Sequence, residues 1–326
     1  MVAAPVLIDT DPGIDDVLAL LLAFRLPEWR VEAITTVAGN VPVEVGTRNV
    51  ARVLGVVQPA QVPLVAPGAT GPRTRPLVTA THVHGEDGIG GLGGLTDSRG
   101  RPEFPEAPLR RYAGDAADLL VDCAQRWSGE LVVVTLGPLT NLALAIDRDA
   151  EALRRIRAVV AMGGSMAVGG NVTATAEFNI FVDPEAAAHV LAAALPLTLV
   201  PLDVTHEVVW PPARVERLAE ALDPVGRFAY RVAQRGLALS AASGEPGIIM
   251  HDPLAVGVAL DPTLVQTAML SVAIETAGTL TRGMTVVDRR PRATWRQGEA
   301  HCRVALRADA ARFLKLYEDR VCSASA

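Results

Sequence analysis

The 326-residue chain is 50% apolar and 20% charged, with a net charge of −6 and a pI near 5.6. It can bury a large core, and it carries no basic footprint for nucleic acid. Its three cysteines, Cys123, Cys302 and Cys322, are far apart. They suggest neither a disulfide framework nor a zinc site, and they fit a reducing compartment.

In chain order, the apolar run Pro5-Val6-Leu7-Ile8 reads as a short buried strand, and no basic segment precedes it as a signal peptide would require. It runs into Asp9-Thr10-Asp11-Pro12-Gly13-Ile14-Asp15-Asp16, four carboxylates in eight residues, and then the leucine-rich helical pattern Val17–Leu22. Val31–Val37 is a second strand ending at Ala38-Gly39-Asn40, followed by helical spacing over Val43–Leu54. Arg73–Pro108 is too long for an ordinary connection and carries His82-Val83-His84-Gly85-Glu86-Asp87-Gly88. Leu131–Thr135 is a strand ending at Leu136-Gly137-Pro138, with helix continuing over Leu139–Ile146.

Ala158–Met162 ends at Gly163-Gly164, ahead of Asn171 and Ala176-Glu177-Phe178-Asn179. Asp183-Pro184-Glu185 opens a helix over Ala186–Leu195, with Asp183 as its cap and His189 a structural residue within it. Leu197–Val200 ends near Asp203, and His251-Asp252-Pro253 opens the apolar segment Leu254–Leu260. Leucine-rich stretches such as Val17–Leu22 and Ala186–Leu195 are too short to span a bilayer. The expectation is a cytoplasmic protein without a membrane partner.

Short continuous apolar strands alternating with helices predict an α/β fold, an open, mostly parallel sheet covered on both faces. No linker or repeat divides the chain, so residues 1–326 are read as one domain. The ligand crevice of such a sheet lies beyond the carboxyl ends of its strands, where the polar clusters fall. Four like charges packed together need a proton or a cation between them, and oxygen-only ligands favour Ca²⁺ or Mg²⁺ over zinc. The competing reading is local: acids at a helix start complement its dipole and make turn hydrogen bonds.

Taken in this order, the clusters resemble the inosine-uridine-preferring nucleoside hydrolase family. The resemblance runs from Asp9 through His251-Asp252 and continues into Gly283–Asp288 and Asp309–Phe313. It implies a Rossmann-like sheet and an enzyme hydrolysing the N-glycosidic bond of ribonucleosides to free base and ribose, with Ca²⁺ in the pocket. By resemblance, Asp11, Asp16, Asp252 and the main-chain carbonyl of Leu136 would ligate calcium. The substrate's 2′- and 3′-hydroxyls and a water would complete the coordination. Asp11 would be the general base, His251 the leaving-group acid and His84 its assistant. Asp15, Asn40, Asn171, Glu177 and Asn179 would hold the ribose, with Met162 against the sugar and Asp9 supporting the turn. Family members are typically homodimers or homotetramers.

The interval from Met162 to Glu177 is one residue longer than the family pattern, through Ala167-Val168-Gly169-Gly170. The segment Asp223–Met250, expected to lie over the base, has only Phe228 and Tyr230 as aromatics, which favours a pyrimidine-preferring or broad enzyme. Three alternatives stand beside this reading. A haloacid-dehalogenase-type phosphotransferase would need a phosphate-binding lysine, and Lys315 is the only lysine. The others are a calcium-dependent nucleoside-binding protein without turnover, and a hydrolase of another ribosyl compound such as nicotinamide riboside.

Overall fold

The structure is a computed structural model that describes residues 3–220, 223–290 and 301–322, without the side chain of His301. Twelve strands are assigned among these residues. The first seven are β1 (Ala4–Thr10), β2 (Trp29–Thr36), β3 (Leu64–Pro67), β4 (Arg110–Arg111), β5 (Val132–Thr135), β6 (Ala158–Met162) and β7 (Leu197–Val200). Then come β8 (Val209–Trp210), β9 (Ile248–Ile249), β10 (Val265–Ile274), β11 (Thr285–Asp288) and β12 (His301–Ala308). Ten form one sheet in the order β11-β10-β12-β7-β6-β5-β1-β2-β3-β4, while β8 and β9 pair separately. Strands β1 to β7 and β12 pair in parallel, and β10 runs antiparallel to β11 and β12.

The chain leaves β1 towards β2 on one side, then returns to place β5 on the other. The resulting switch point between β1 and β5 is where open α/β sheets bind ligands. The acidic turn after β1 and Leu136-Gly137 after β5 sit at that edge.

Helices cover both faces. The first six are α1 (Ile14–Phe24), α2 (Val43–Val57), α3 (Thr81–His84), α4 (Ala116–Arg126), α5 (Thr140–Arg154) and α6 (Phe178–Val182). The remainder are α7 (Pro184–Ala192), α8 (Leu202–Thr205), α9 (Pro212–Val215), α10 (Pro224–Ala242), α11 (His251–Leu260) and α12 (Ala310–Val321). Strand alternation divides the apolar side chains. Val6 and Ile8 join a core with α1, α10, α11 and α12, while Leu7 packs on the other face with α4, α5 and α7.

Val17 to Leu22 are all fully buried, because α1 is wedged between the sheet and the helices outside it. Each such Val or Leu contributes roughly 1.5–3 kcal/mol of burial. α11 is likewise apolar on all sides and packs between α1 and β6, which fixes His251 and Asp252 at its first turn.

Asp183 caps α7 by accepting from the Ala186 N–H at 3.0 Å, and it also accepts from Thr140 Oγ1 at 2.7 Å. His189 contacts Asp147 at 2.9 Å on the outside of the same helix. Among the described residues, no helix is long and apolar enough to cross a membrane.

Candidate active site

The acidic turn is held by its own backbone. Asp16 is the third residue of α1, and its Oδ2 accepts from the Gly13 N–H at 2.9 Å, the reach-back half of a capping box. Its Oδ1 accepts from Thr10 Oγ1 at 2.5 Å and from the Asp11 N–H at 3.3 Å. The capping reading of the sequence is therefore correct for Asp16, but it leaves the other acids unexplained.

Asp11 is fully buried. Its Oδ2 accepts from the Asn40 N–H at 2.6 Å, while its Oδ1 has no hydrogen-bond partner among the described residues. Glycines at two strand ends make room for this carboxylate. A Cβ on Gly137 would lie 2.5 Å from Asp11 Oδ1, and one on Gly39 would overlap Oδ2. Both glycines are thus steric requirements of the site.

Asp15, Asp16 and Asp252 bring one carboxylate oxygen each within 4.8 Å of one another, the arrangement expected of a cation site. Asp15 Oδ1 is also buried and unpartnered. Burial, and then the charge of Asp16, push the Asp15 carboxyl up to about 7 and raise Asp11 well above the carboxylate range. Burial raises Asp252 in the same way, followed by the charges of Asp15, Asp16 and Asp11. Unsatisfied buried oxygens surrounded by like charge are what a hard cation would neutralise. This all-oxygen donor set fits a hard metal cation.

The sugar-binding candidates close the floor. Glu177 caps α6: its Oε1 accepts from the Asn179 N–H at 2.9 Å, and its Oε2 accepts from Ile180 at 3.1 Å and Gly164 at 2.9 Å. Burial raises its pKa against the pull of these bonds. Asn179 Nδ2 donates to the carbonyls of Leu136 at 2.7 Å and Met162 at 3.3 Å, so α6 is tied to the ends of β5 and β6. The Leu136 oxygen keeps a second lone pair. Asn40 reaches the cluster from β2, its Nδ2 donating to Asp16 Oδ2 at 3.1 Å. Asn171 stands apart from this group. It is exposed, and its Oδ1 accepts from the Phe178 N–H at 2.9 Å, which steadies the start of α6.

His84 and His251 approach from the loop after β3 and from α11. The Ile14 N–H, at the start of α1, donates to His84 Nδ1 at 3.1 Å. A backbone N–H can only donate, so His84 is neutral with its proton on Nε2. Burial is the main reason its pKa falls to about 4. His251 Nδ1 lies 2.7 Å from Thr205 Oγ1, and burial, then the charges of His206 and His84, push its pKa down to about 3. His82 is exposed.

Residues 6–315 match the family model described as inosine-uridine preferring nucleoside hydrolase. The chain belongs to this family. It is a nucleoside hydrolase, an enzyme of the N-glycosyl hydrolase kind, and its acidic cluster suits the metal dependence of that kind. Its relatives include the pyrimidine-specific ribonucleoside hydrolase RihA of Salmonella paratyphi B, 37% identical over 295 residues, which span 88% of this chain and 89% of the relative. The same-named protein of an Enterobacter species is 39% identical over 288 residues, 88% of each chain. Among solved structures, the plant nucleoside hydrolase PpNRh1 superposes with a TM-score of 0.89 at 29% identity, covering 99% of this chain and 100% of the other. A purine-preferring ribonucleoside hydrolase from Gardnerella vaginalis gives 0.86 at 30% identity, covering 98% of each.

Several supports of this nucleoside hydrolase's site escaped sequence reasoning. Asn141 in α5 donates to Asp9 Oδ1 at 2.7 Å and to the Thr36 carbonyl at 3.0 Å, joining β1 to β2. Asn49 in α2 donates to the carbonyls of Pro12 at 3.0 Å and Asp87 at 2.8 Å, tying the histidine loop to the acidic turn. Asp203 accepts from the N–H groups of Met166 at 2.7 Å and Ala167 at 2.9 Å. Neither Asn49 nor Asn141 carried a local signal, because each stands among other polar residues of its helix.

Proposed function

We propose that the chain hydrolyses the N-glycosidic bond of ribonucleosides to free base and ribose in a calcium-dependent reaction, as one domain spanning residues 1–326. Asp11, Asp16, Asp252 and the Leu136 carbonyl would hold the ion. The observation that carries this reading is the buried, mutually repelling cluster of Asp11, Asp15, Asp16 and Asp252 at the β1–β5 switch point. Bound calcium supplies positive charge that keeps these acids ionised and polarises the attacking water.

Asp11 is the general base, the role the family resemblance gives it; its Oδ2 is fixed by the Asn40 N–H while its Oδ1 makes no hydrogen bond among the described residues and can take a proton. Asp15, Asn40, Glu177 and Asn179 hold the ribose hydroxyls, and Met162 packs against the sugar; Asn171, exposed and bonded to the Phe178 N–H, acts on the sugar only through the start of α6. As the bond breaks, positive charge develops on the ribose ring and negative charge on the base. Carboxylate and amide oxygens stabilise the first. His251 and His84, neutral with free Nε2 positions, stabilise the second by hydrogen bonding.

For specificity we propose a pyrimidine-preferring or broad enzyme. Phe228 is fully buried against Phe104, with ring centroids 4.5 Å apart, and the Tyr230 hydroxyl donates to Glu216. Trp29 and Trp210 are buried in the core, and Trp127 packs with Arg30. Phe228 is thus committed to the core and Tyr230 is tied to Glu216, and Trp295 lies outside the described residues. RihA relatives carry a pyrimidine-specific name, which favours the same side. The free cysteines fit a cytoplasmic setting, and the family resemblance supports a homodimer or homotetramer.

The test is a panel of uridine, cytidine, inosine, adenosine and their 2′-deoxy forms, scored for released base. It is run on the native protein, after EDTA treatment, and after restoring Ca²⁺. Loss with EDTA and recovery with Ca²⁺ is expected, with pyrimidines at least matching purines. Full turnover by the stripped protein would overturn calcium dependence.

A further inference from the structure

We propose that Thr205 is a positioning residue that donates its hydroxyl proton to His251 Nδ1, fixing the neutral imidazole with its proton on Nε2. The inference deepens the proposed function and rests on His251 serving the departing base. Thr205 lies in the last turn of α8, fully buried, with Oγ1 2.7 Å from His251 Nδ1. A hydroxyl has one proton to give, and two acceptors compete for it.

The alternative acceptor is the Leu202 carbonyl, 3.5 Å away, at the outer limit of a hydrogen bond. That carbonyl already accepts from the His206 N–H at 3.0 Å. The proton therefore goes to His251, the shorter contact with an otherwise unpaired ring nitrogen. With Nδ1 accepting, the ring proton of the neutral form must lie on Nε2, which points away from α8 and makes no hydrogen bond among the described residues.

The same logic operates at His84, where the donor is the Ile14 N–H. Two histidines from separate parts of the sequence thus present an Nε2–H, each set by a donor behind it. One donor is main chain and survives any side-chain replacement except proline. The other is the Thr205 side chain, which a conservative substitution removes.

Two measurements test the assignment on the full, metal-replete chain. Long-range ¹H–¹⁵N spectra of ¹⁵N-histidine-labelled protein, with His251 assigned through His251→Gln, should show Nδ1 unprotonated and Nε2 protonated at neutral pH. A proton on Nδ1 of His251 overturns the proposal regardless of activity.

Kinetics then compare uridine with 4-nitrophenyl riboside, whose phenolate departs without help from a donor. Thr205→Val should lower kcat on uridine roughly 10- to 100-fold, part of the usual contribution of a positioned proton donor. It should affect the nitrophenyl substrate far less, and Thr205→Ser should restore uridine turnover. Equal losses on both substrates would make Thr205 merely structural and overturn the proposal. His251→Gln separates the two levels. If it leaves uridine turnover intact, the role of His251 fails; if it is selective for uridine and Thr205→Val is not, only the Thr205 inference fails.

Discussion

Asp9 offers a direct measure of what the buried acids do to the fold. It lies at the end of β1, fully buried, with Oδ1 accepting from Thr35 Oγ1 at 2.6 Å and Asn141 Nδ2 at 2.7 Å, and with Oδ2 unpartnered. Burial outweighs those two bonds and pushes its carboxyl from 3.8 up to about 7. A folded pKa above the unfolded value means that ionisation opposes folding. The cost is absent below pH 3.8, grows as pH rises, and levels off above about 7.

A shift of roughly three units at about 1.4 kcal/mol each sets the full cost at no more than about 4 kcal/mol. Asp9→Asn keeps an oxygen for Thr35 and Asn141 and cannot ionise. It leaves a buried amide N–H₂ in place of Oδ2, at a pH-independent cost of about 1–3 kcal/mol. The decisive quantity is therefore the stability of the variant relative to wild type, measured by urea denaturation in EDTA at pH 5 and pH 8. That difference should move in the variant's favour by about 2–3 kcal/mol between the two pH values. A difference that does not change with pH, or moves against the variant, would refute burial as the dominant influence on Asp9.

Asp11→Asn retains the bond from the Asn40 N–H but removes the proposed proton acceptor and one proposed calcium ligand, so turnover of uridine should fall by at least about 10²–10⁴-fold and calcium should raise the variant's Tm less than that of wild type; steady-state kinetics with melting curves checks both. Asp252→Asn removes one acid from the cluster that raises it, so calcium should raise the Tm of wild type and leave that of the variant nearly unchanged. In EDTA at pH 8 the same variant should be at least as stable as wild type, because a repelled buried charge is gone. Destabilisation there would mean that Asp252 is already neutralised by a partner within the protein.

The features legible in the sequence were those whose cause is local. The strand–acid–helix pattern at Val6–Leu22 and the cap at Asp183-Pro184 depend on neighbours within a few residues, and both appear in the structure where the pattern placed them. Asn40, Glu177 and Asn179 were found through the family resemblance, and they converge at the floor of the site. Asn141 was not legible, because its partners Asp9 and Thr36 lie 132 and 105 residues away and its own segment reads as an ordinary amphipathic helix. Thr205 was hidden for the same reason, 46 residues from His251 in a short helical turn. Residues that do chemistry carry recognisable types, whereas residues that hold them are chosen by where the fold brings them.

Burial acts in opposite directions on the two halves of this site. It raises Asp11, Asp15 and Asp252, so that they hold protons unless a positive charge is brought to them, and it lowers His84 and His251, so that both rings remain uncharged. The proposed reaction separates charge in the same sense, positive on the ribose and negative on the base. A cationic histidine near the sugar would oppose the first, and a carboxylate near the base would oppose the second. Neutral N–H donors beside the base avoid both conflicts, provided each ring carries its proton on the correct nitrogen. That requirement gives Ile14 and Thr205 their importance: in a site where burial has removed the histidines' charge, the tautomer is what remains to be controlled.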